Sequence, residues 1–185
     1  MIGMNEFRRG MCLLMDGKLM KIVESQHVNP GNWRAFVRTR LKDLATGNVV
    51  ERTYRDNDRF EEARLEGAEM QLLYADVNGW HFMNQETYDQ VTLSADDLGD
   101  AVNYLKENDI IKVDFYKEKA VGVTLPSSVA LKVVEAPPAT KGNTATGATK
   151  LVKLETGLTV NVPLFIAEGE MVKVDTRTGE FLSRA

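Results

Sequence analysis

Residues 28 to 36, VNPGNWRAF, place a proline, a glycine, an asparagine, a tryptophan and an arginine at five consecutive positions between two stretches that alternate like strands. Pro30 presets a turn and Gly31 supplies the permissive backbone. Asn32 offers an amide donor and an acceptor, Trp33 a large stacking surface and Arg34 a permanent positive charge. Downstream, period two sets Arg34, Phe36, Arg38, Arg40 and Lys42 on one face of a strand and Ala35, Val37, Thr39 and Leu41 on the other. Arg38, Arg40 and Lys42 can therefore grip phosphates together, or form a solvated barrel face.

The elements that carry this loop read as β. MCLLMDGKLMKIVE, residues 11 to 24, holds two apolar runs around Asp16-Gly17, a strong hairpin signal. Residues 34 to 55 repeat the pattern around Ala45-Thr46-Gly47, and KIVESQHV can pair with the first arm, so VNPGN becomes the tip of a long hairpin. A charged stretch, DRFEEARLEGAE, reads as a hinge. Beyond it MQLLYADVNGWHFMNQETYDQVTL predicts a hairpin turn at Asn78-Gly79. Residues 95 to 108, ADDLGDAVNYLKEN, predict the one helix, with Leu98, Val102 and Leu105 at helical spacing. Strands resume in IIKVDFYKEKAVGVTL, SSVALKVVEAPP, LVKLETGLTVNVPLFI and EGEMVKVDTRTGEFL. Because strands restart twice after a polar break, an all-β chain of three small β-barrel domains is expected, at 1–65, 66–127 and 128–185.

Charge divides along the same lines. Of the 185 residues, 1–65 carry 12 Lys+Arg against 9 Asp+Glu, 66–127 carry 4 against 12, and 128–185 carry 7 against 6. The first block can meet phosphate; the second repels it. The composition is that of a soluble globular protein, with no apolar run near the roughly 18 residues of a membrane span and no signal peptide at MIGMNEFRRGMCLLM. Cys12, the single cysteine, has apolar neighbours that suit a buried inert thiol in a reducing cytoplasm. His27 and His81 stand apart and away from cysteine, so no metal site is expected. Asp96-Asp97 and Asp56/Asp58 fit helix starts and turns rather than acid–base pairs. GNTATGATK lacks the glycine, lysine and hydroxyl spacing of a phosphate-cradling loop. No catalytic residue and no cofactor are expected.

GNTATGATKLVKLETGLTVNVPLFIAEGEMVKVDTRTGEFLSR, residues 142 to 184, resembles the closing signature of the bacterial elongation factor P family. Residues 6 to 55, EFRRGMCLLMDGKLMKIVESQHVNPGNWRAFVRTRLKDLATGNVVERTYR, resemble that family's N-terminal domain. The resemblance covers essentially the whole chain. It implies an SH3-like (KOW-type) N-terminal barrel followed by two OB folds, arranged as an L-shaped tRNA mimic. It further implies a monomeric factor that binds the 70S ribosome between the P and E sites, contacts rRNA and P-site prolyl peptidyl-tRNA, and promotes peptide-bond formation at proline-rich stalls. Catalysis stays with the ribosome, and the factor contributes position.

Read against that family, Pro30, Gly31, Asn32, Trp33 and Arg34 form the hairpin tip near the peptidyl-transferase centre. Arg38, Arg40, Lys42 and Arg184 contact tRNA or rRNA, and Gly142, Asn143, Thr144, Thr146 and Gly147 approach the exit-site codon and the small subunit. At the closing segment the family has tyrosine where this chain has Phe181, which keeps stacking and loses a hydroxyl. The tip departs further. Relatives carry Pro-Gly-Lys-Gly with a lysine that many members extend with an amine-bearing group, and a second subfamily glycosylates a tip arginine. Asn32 stands here instead, and its amide cannot accept such a group through an ε-amine. Three readings stay open. Asn32 works unmodified beside a stacking Trp33; Arg34 supplies the charge or is itself modified; or Trp33 folds back as a hydrophobic plug in a divergent paralogue. A passive RNA-binding regulator without polyproline rescue is the alternative function.

Overall fold

The computed structural model describes residues 1–138 and 147–185. They fall into two compact bodies, one of Met1–Gly67 with Asp114–Gly122 and the other of Ala68–Val113 with Val123–Ala185. Among the described residues, three sheets account for nearly all of the regular structure.

The first sheet contains β1 (Ile2–Gly3), β2 (Cys12–Met15), β3 (Lys18–Val28), β4 (Phe36–Asp43), β5 (Val49–Arg55) and β6 (Arg59–Glu62), in the order β1-β6-β2-β3-β4-β5. Asp16 and Gly17, at φ 51° and 76°, join β2 to β3 through a two-residue turn whose twist suits a hairpin. The alternation of β4 is as expected. Val37, Thr39, Leu41 and Asp43 are buried, while Arg38, Arg40 and Lys42 are exposed. Val37 and Leu41 join Met4, Phe7, Leu13, Met20, Ile22 and Phe60 in one core, with Tyr54 packed edge-on to Phe7 and Phe60. Phe60 narrows the reading of DRFEEARLEGAE as a hinge: the boundary between the two bodies, Gly67/Ala68, falls inside that stretch, but Arg59–Glu62 belongs to the first sheet. The Phe60 side chain is drawn into this core, and that burial makes Arg59–Glu62 a strand pairing with both β1 and β2. Burial of Cys12 pushes its thiol up, as suits an inert side chain.

The second sheet holds β7 (Glu66–Asp76), β8 (Gly79–Asn84), β9 (Gln90–Leu93), β10 (Ile110–Tyr116) and β11 (Lys119–Thr124), in the order β11-β10-β7-β8-β9. Asp76 pairs with Gly79, so the β7–β8 turn is Val77-Asn78, one residue earlier than Asn78-Gly79. Gly79 is needed inside the ladder. At φ 133° a Cβ there would lie 2.4 Å from the Leu93 carbonyl oxygen. The helix expected over 95–108 is also shorter. α1 spans Ala95–Leu98, capped by Ser94 and Asp97, which accept each other's backbone N–H. Gly99, at φ 56°, ends it, and Gly99–Asn103 continues as a 3-10 turn. Asp97 thus serves as a cap.

The third sheet has β12 (Ser128–Glu135), β13 (Thr149–Leu154), β14 (Thr159–Pro163), β15 (Met171–Asp175) and β16 (Phe181–Arg184), in the order β14-β13-β12-β15-β16. Leu131, Val133, Val152, Leu154, Val160, Val162, Ile166, Val172 and Val174 form its core, and Tyr104 from the 3-10 segment joins it. Thr156 Oγ1 donates to the Asn103 carbonyl and Lys106 Nζ to that of Ala130, which ties the segment after β9 to the third sheet.

Among the described residues one turn occurs three times, once in each sheet, joining β4 to β5, β8 to β9 and β15 to β16. Its sequences are DLATGN (43–48), NQETYD (84–89) and DTRTGE (175–180). Oδ1 of the first residue accepts from the backbone N–H of the third and fourth: Ala45 and Thr46, Glu86 and Thr87, Arg177 and Thr178. Its carbonyl accepts from the fifth residue, and the threonine hydroxyl accepts from the sixth. The fifth residue has positive φ each time, at Gly47, Tyr88 and Gly179.

Candidate nucleic-acid interface

β3 and β4 form a ladder from Met20↔Asp43 to Val28↔Phe36, with one irregularity between Ile22 and Glu24. Residues 29–35 close it as a seven-residue loop containing Gly31 at φ 67°. Pro30, Gly31, Asn32, Trp33 and Arg34 are all exposed, Trp33 to 81%. The plug reading of Trp33 therefore fails, since the indole lies in solvent rather than on the stem. Among the described residues, the side chains of Asn32, Trp33 and Arg34 make no hydrogen bond or ion pair within the protein. Their polar groups face outward, where an RNA edge or phosphate can meet them.

Below the loop, the exposed face of β4 carries Arg38, Arg40 and Lys42. Register brings neighbours to the same face: Lys21 opposite Lys42, Gln26 opposite Arg38, and on the outer side Glu51 opposite Arg40, Thr53 opposite Arg38 and Arg55 opposite Phe36. Lys21 and Arg55 were not singled out from sequence. The signal was present in the alternation of residues 49–55, but it acquires meaning only once β5 is paired in register. Two carboxylates temper the face. Arg38 Nε lies 3.5 Å from Glu51 Oε1, and Arg40 Nη1 lies 3.5 Å from Glu24 Oε2, all on roughly half-exposed side chains. Exposed pairs of this kind are worth about 0–1 kcal/mol, so a phosphate can displace the glutamates at little cost. At the far end of β4, Asp43 accepts from the N–H groups of Ala45 and Thr46, which holds its carboxyl below the usual range. That anchors the strand end opposite the loop.

A second exposed group lies on the third sheet. Arg184 places its guanidinium over the Phe165 ring, 4.6 Å from the ring centre, and its Nη2 lies 3.4 Å from Glu170 Oε1 and 3.5 Å from the Phe165 carbonyl. Phe181, expected to stack on RNA, is instead half-buried and packs against the core, because Val174 opposite it faces inward. The exposed aromatic at this end is Phe165, which no pattern in the sequence marks. Gly147 is exposed at φ 102°, while Gly142, Asn143, Thr144 and Thr146 lie outside the described residues.

No group of three or more His, Cys, Asp or Glu side chains able to hold a metal occurs among the described residues. No helix among them is long and apolar enough to cross a membrane. His81 is held by its neighbours rather than offered to a ligand: it stacks on Tyr74, its Nδ1 lies 2.9 Å from Thr92 Oγ1, and its Nε2 lies 3.0 Å from Asp76 Oδ1.

Three family profiles match in succession. Residues 3–60 match the "Elongation factor P (EF-P) KOW-like domain", 65–123 the "Elongation factor P (EF-P) OB domain", and 129–184 "Elongation factor P, C-terminal". The chain is 49% identical over 185 residues to "Elongation factor P" of Symbiobacterium thermophilum, with both chains covered in full. It is equally 49% identical over its full length to "Elongation factor P" of Moorella thermoacetica. Among solved structures, "Eukaryotic translation initiation factor 5A from Methanococcus jannaschii" is similar at a TM-score of 0.51 and 18% identity, covering 66% of this chain and 90% of that one. At that identity the likeness concerns the fold.

Proposed function

Since the chain belongs to the elongation factor P family and is on that ground a translation elongation factor, we propose that it binds the 70S ribosome between the P and E sites and speeds peptide-bond formation at proline-rich stalls with an unmodified tip. The observation that carries this reading is the tip itself. Trp33 is 81% exposed on a glycine-permitted turn at the end of a long basic-faced hairpin, beside outward-facing Asn32 and Arg34. Trp33 stacks on a base or ribose near the acceptor end of peptidyl-tRNA, a contact worth about 1–3 kcal/mol. Asn32 supplies an amide donor and acceptor. Arg38, Arg40 and Lys42, with Lys21 and Arg55, hold tRNA or ribosomal phosphates through a salt-sensitive contact.

The chemistry belongs to the ribosome. Proline is a rigid and poor reactant, and a wedge beside the acceptor end lowers the entropic cost of its reactive geometry. In this reading residues 1–65, 66–127 and 128–185 are the three working domains of a cytoplasmic monomer. Arg184 lies against tRNA, and the 142–147 segment approaches the exit-site codon.

The test is peptide-bond formation at a triprolyl stall in a reconstituted system, with recombinant protein whose intact mass matches the unmodified chain. Acceleration that falls at least about 5-fold in Trp33→Ala supports the reading. A second reading is favoured by Asn32, which removes the family's modifiable amine: a divergent paralogue that binds RNA passively. It predicts ribosome binding that responds to salt and to Arg38 or Arg40 variants, with no acceleration by either host-purified or recombinant protein.

A further inference from the structure

Phe165 sits in the turn after β14 and is 62% exposed, with a guanidinium over its ring. The Arg184 guanidinium lies over the ring at 4.6 Å, near the end of a strand whose terminus would otherwise leave a long side chain free to sweep through solvent. Two further contacts set its orientation. Glu170 is itself anchored, since its Oε2 accepts from the Ala167 N–H at 2.8 Å, and its Oε1 faces Arg184 Nη2 at 3.4 Å. The Phe165 carbonyl faces the same Nη2 at 3.5 Å. Both polar contacts use one nitrogen. Nη1 and Nε therefore keep donors without a protein partner among the described residues, each able to meet a phosphate oxygen.

We propose that Phe165 is a positioning residue for RNA binding: its ring face holds the Arg184 guanidinium edge-outward, so that Arg184 meets an RNA phosphate with its orientation already set. The proposal rests on the reading of Arg184 as an RNA contact. A flexible arginine loses rotamer freedom on binding, and a ring beneath it removes part of that loss beforehand. Leucine at 165 would retain apolar bulk and lose the π face. Tyrosine would retain both.

The test is the equilibrium affinity of the full-length chain for 70S ribosomes carrying prolyl peptidyl-tRNA in the P site. Arg184→Ala is expected to weaken binding about 10-fold, the range of a charged hydrogen bond. Phe165→Leu is expected to weaken it about 2- to 5-fold, as for an exposed cation–π contact. Phe165→Tyr should restore wild-type affinity, and the thermal midpoint of Phe165→Leu should fall by no more than the few degrees that an exposed cation–π contact supplies. The double variant Phe165→Leu/Arg184→Ala should bind no worse than Arg184→Ala alone. Losses that multiply in the double variant, or a Phe165→Leu protein that binds as wild type, overturn the proposal. If Arg184→Ala alone binds as wild type, the RNA-contact reading of Arg184 falls and the proposal with it. The tip variants would then still report independently on stall rescue.

Discussion

Residues 29–35 and 43–48 both close hairpins that include β4, one at each end, and they are built on opposite principles. In the second, nearly every polar group is bonded within the turn: Asp43 Oδ1 accepts two N–H groups, its carbonyl accepts a third, and the Thr46 hydroxyl accepts a fourth. In the first, Asn32, Trp33 and Arg34 point outward, and among the described residues their side chains bond to nothing in the protein. A turn that satisfies itself stabilises a sheet. A loop that leaves donors, acceptors and an indole in solvent forgoes that stabilisation, and the proposed RNA contact is what would use those groups. The same comparison separates Arg184, with two free donor nitrogens among the described residues, from His81, whose ring nitrogens face Thr92 and Asp76.

The comparison can be broken most forcefully by transplanting one solution onto the other. Replacing residues 29–35 with the self-bonded DLATGN sequence should abolish acceleration at a triprolyl stall, a loss of at least about 10-fold if tip stacking and hydrogen bonding both disappear. The urea midpoint should hold or rise. A chimera that retains acceleration would show that the tip is not the working end.

Next in size are the positive-φ positions inside the turns. Gly179→Ala forces a Cβ into left-handed backbone at φ 74° and sets it 3.2 Å from Tyr104 Oη, whereas Gly47→Ala meets open space at φ 76°. The backbone term alone should cost about 1–2 kcal/mol at either site, so the excess at Gly179, read by urea unfolding, measures the Tyr104 contact. Equal losses would show that Tyr104 yields freely. In the opposite direction, Tyr88 holds the same position at φ 62° with its side chain 69% exposed. Tyr88→Gly should therefore stabilise the chain by up to about 1 kcal/mol.

These positions also mark how far the sequence could be read. Period two placed Val37, Thr39 and Leu41 inward and Arg38, Arg40 and Lys42 outward, because one buried face constrains a strand strongly. Asp16-Gly17 announced its hairpin because both residues tolerate positive φ. Lys117-Glu118 gave no such signal, yet both have positive φ, at 48° and 67°, between β10 and β11. There the pairing of the strands overrides local preference. Phe60 was read as part of a hinge because its neighbours are charged, and only a distant core explains its inward position. Lys21 and Arg55 joined the basic face through register, and Phe165 met Arg184 through a fold that brings residues 19 apart together. Contacts of that kind are absent from any local pattern. The threefold turn was visible in part, as Thr46-Gly47, but NQETYD hides it by replacing aspartate with asparagine and glycine with tyrosine.

That replacement supports the smallest and most discriminating prediction. Asp43 and Asp175 are held below the usual carboxylate range chiefly by the N–H groups of Ala45 and of Arg177. A carboxylate whose folded pKa is depressed contributes stability above its unfolded value, about 4, and loses it as pH falls through the folded value. The first and third turns should thus loosen on acidification below about pH 4, while Asn84, which does not titrate, leaves the second unaffected. Amide hydrogen exchange, corrected for its intrinsic pH dependence, should show falling protection at Ala45 and Arg177 and constant protection at Glu86. Asn84→Asp should import the acid sensitivity to Glu86, more weakly, because the nearby carboxylates of Glu86 and Asp89 oppose a third negative charge. If wild-type Glu86 already loses protection over the same window, the turns melt with their sheets, and the first residue's charge is not what closes them.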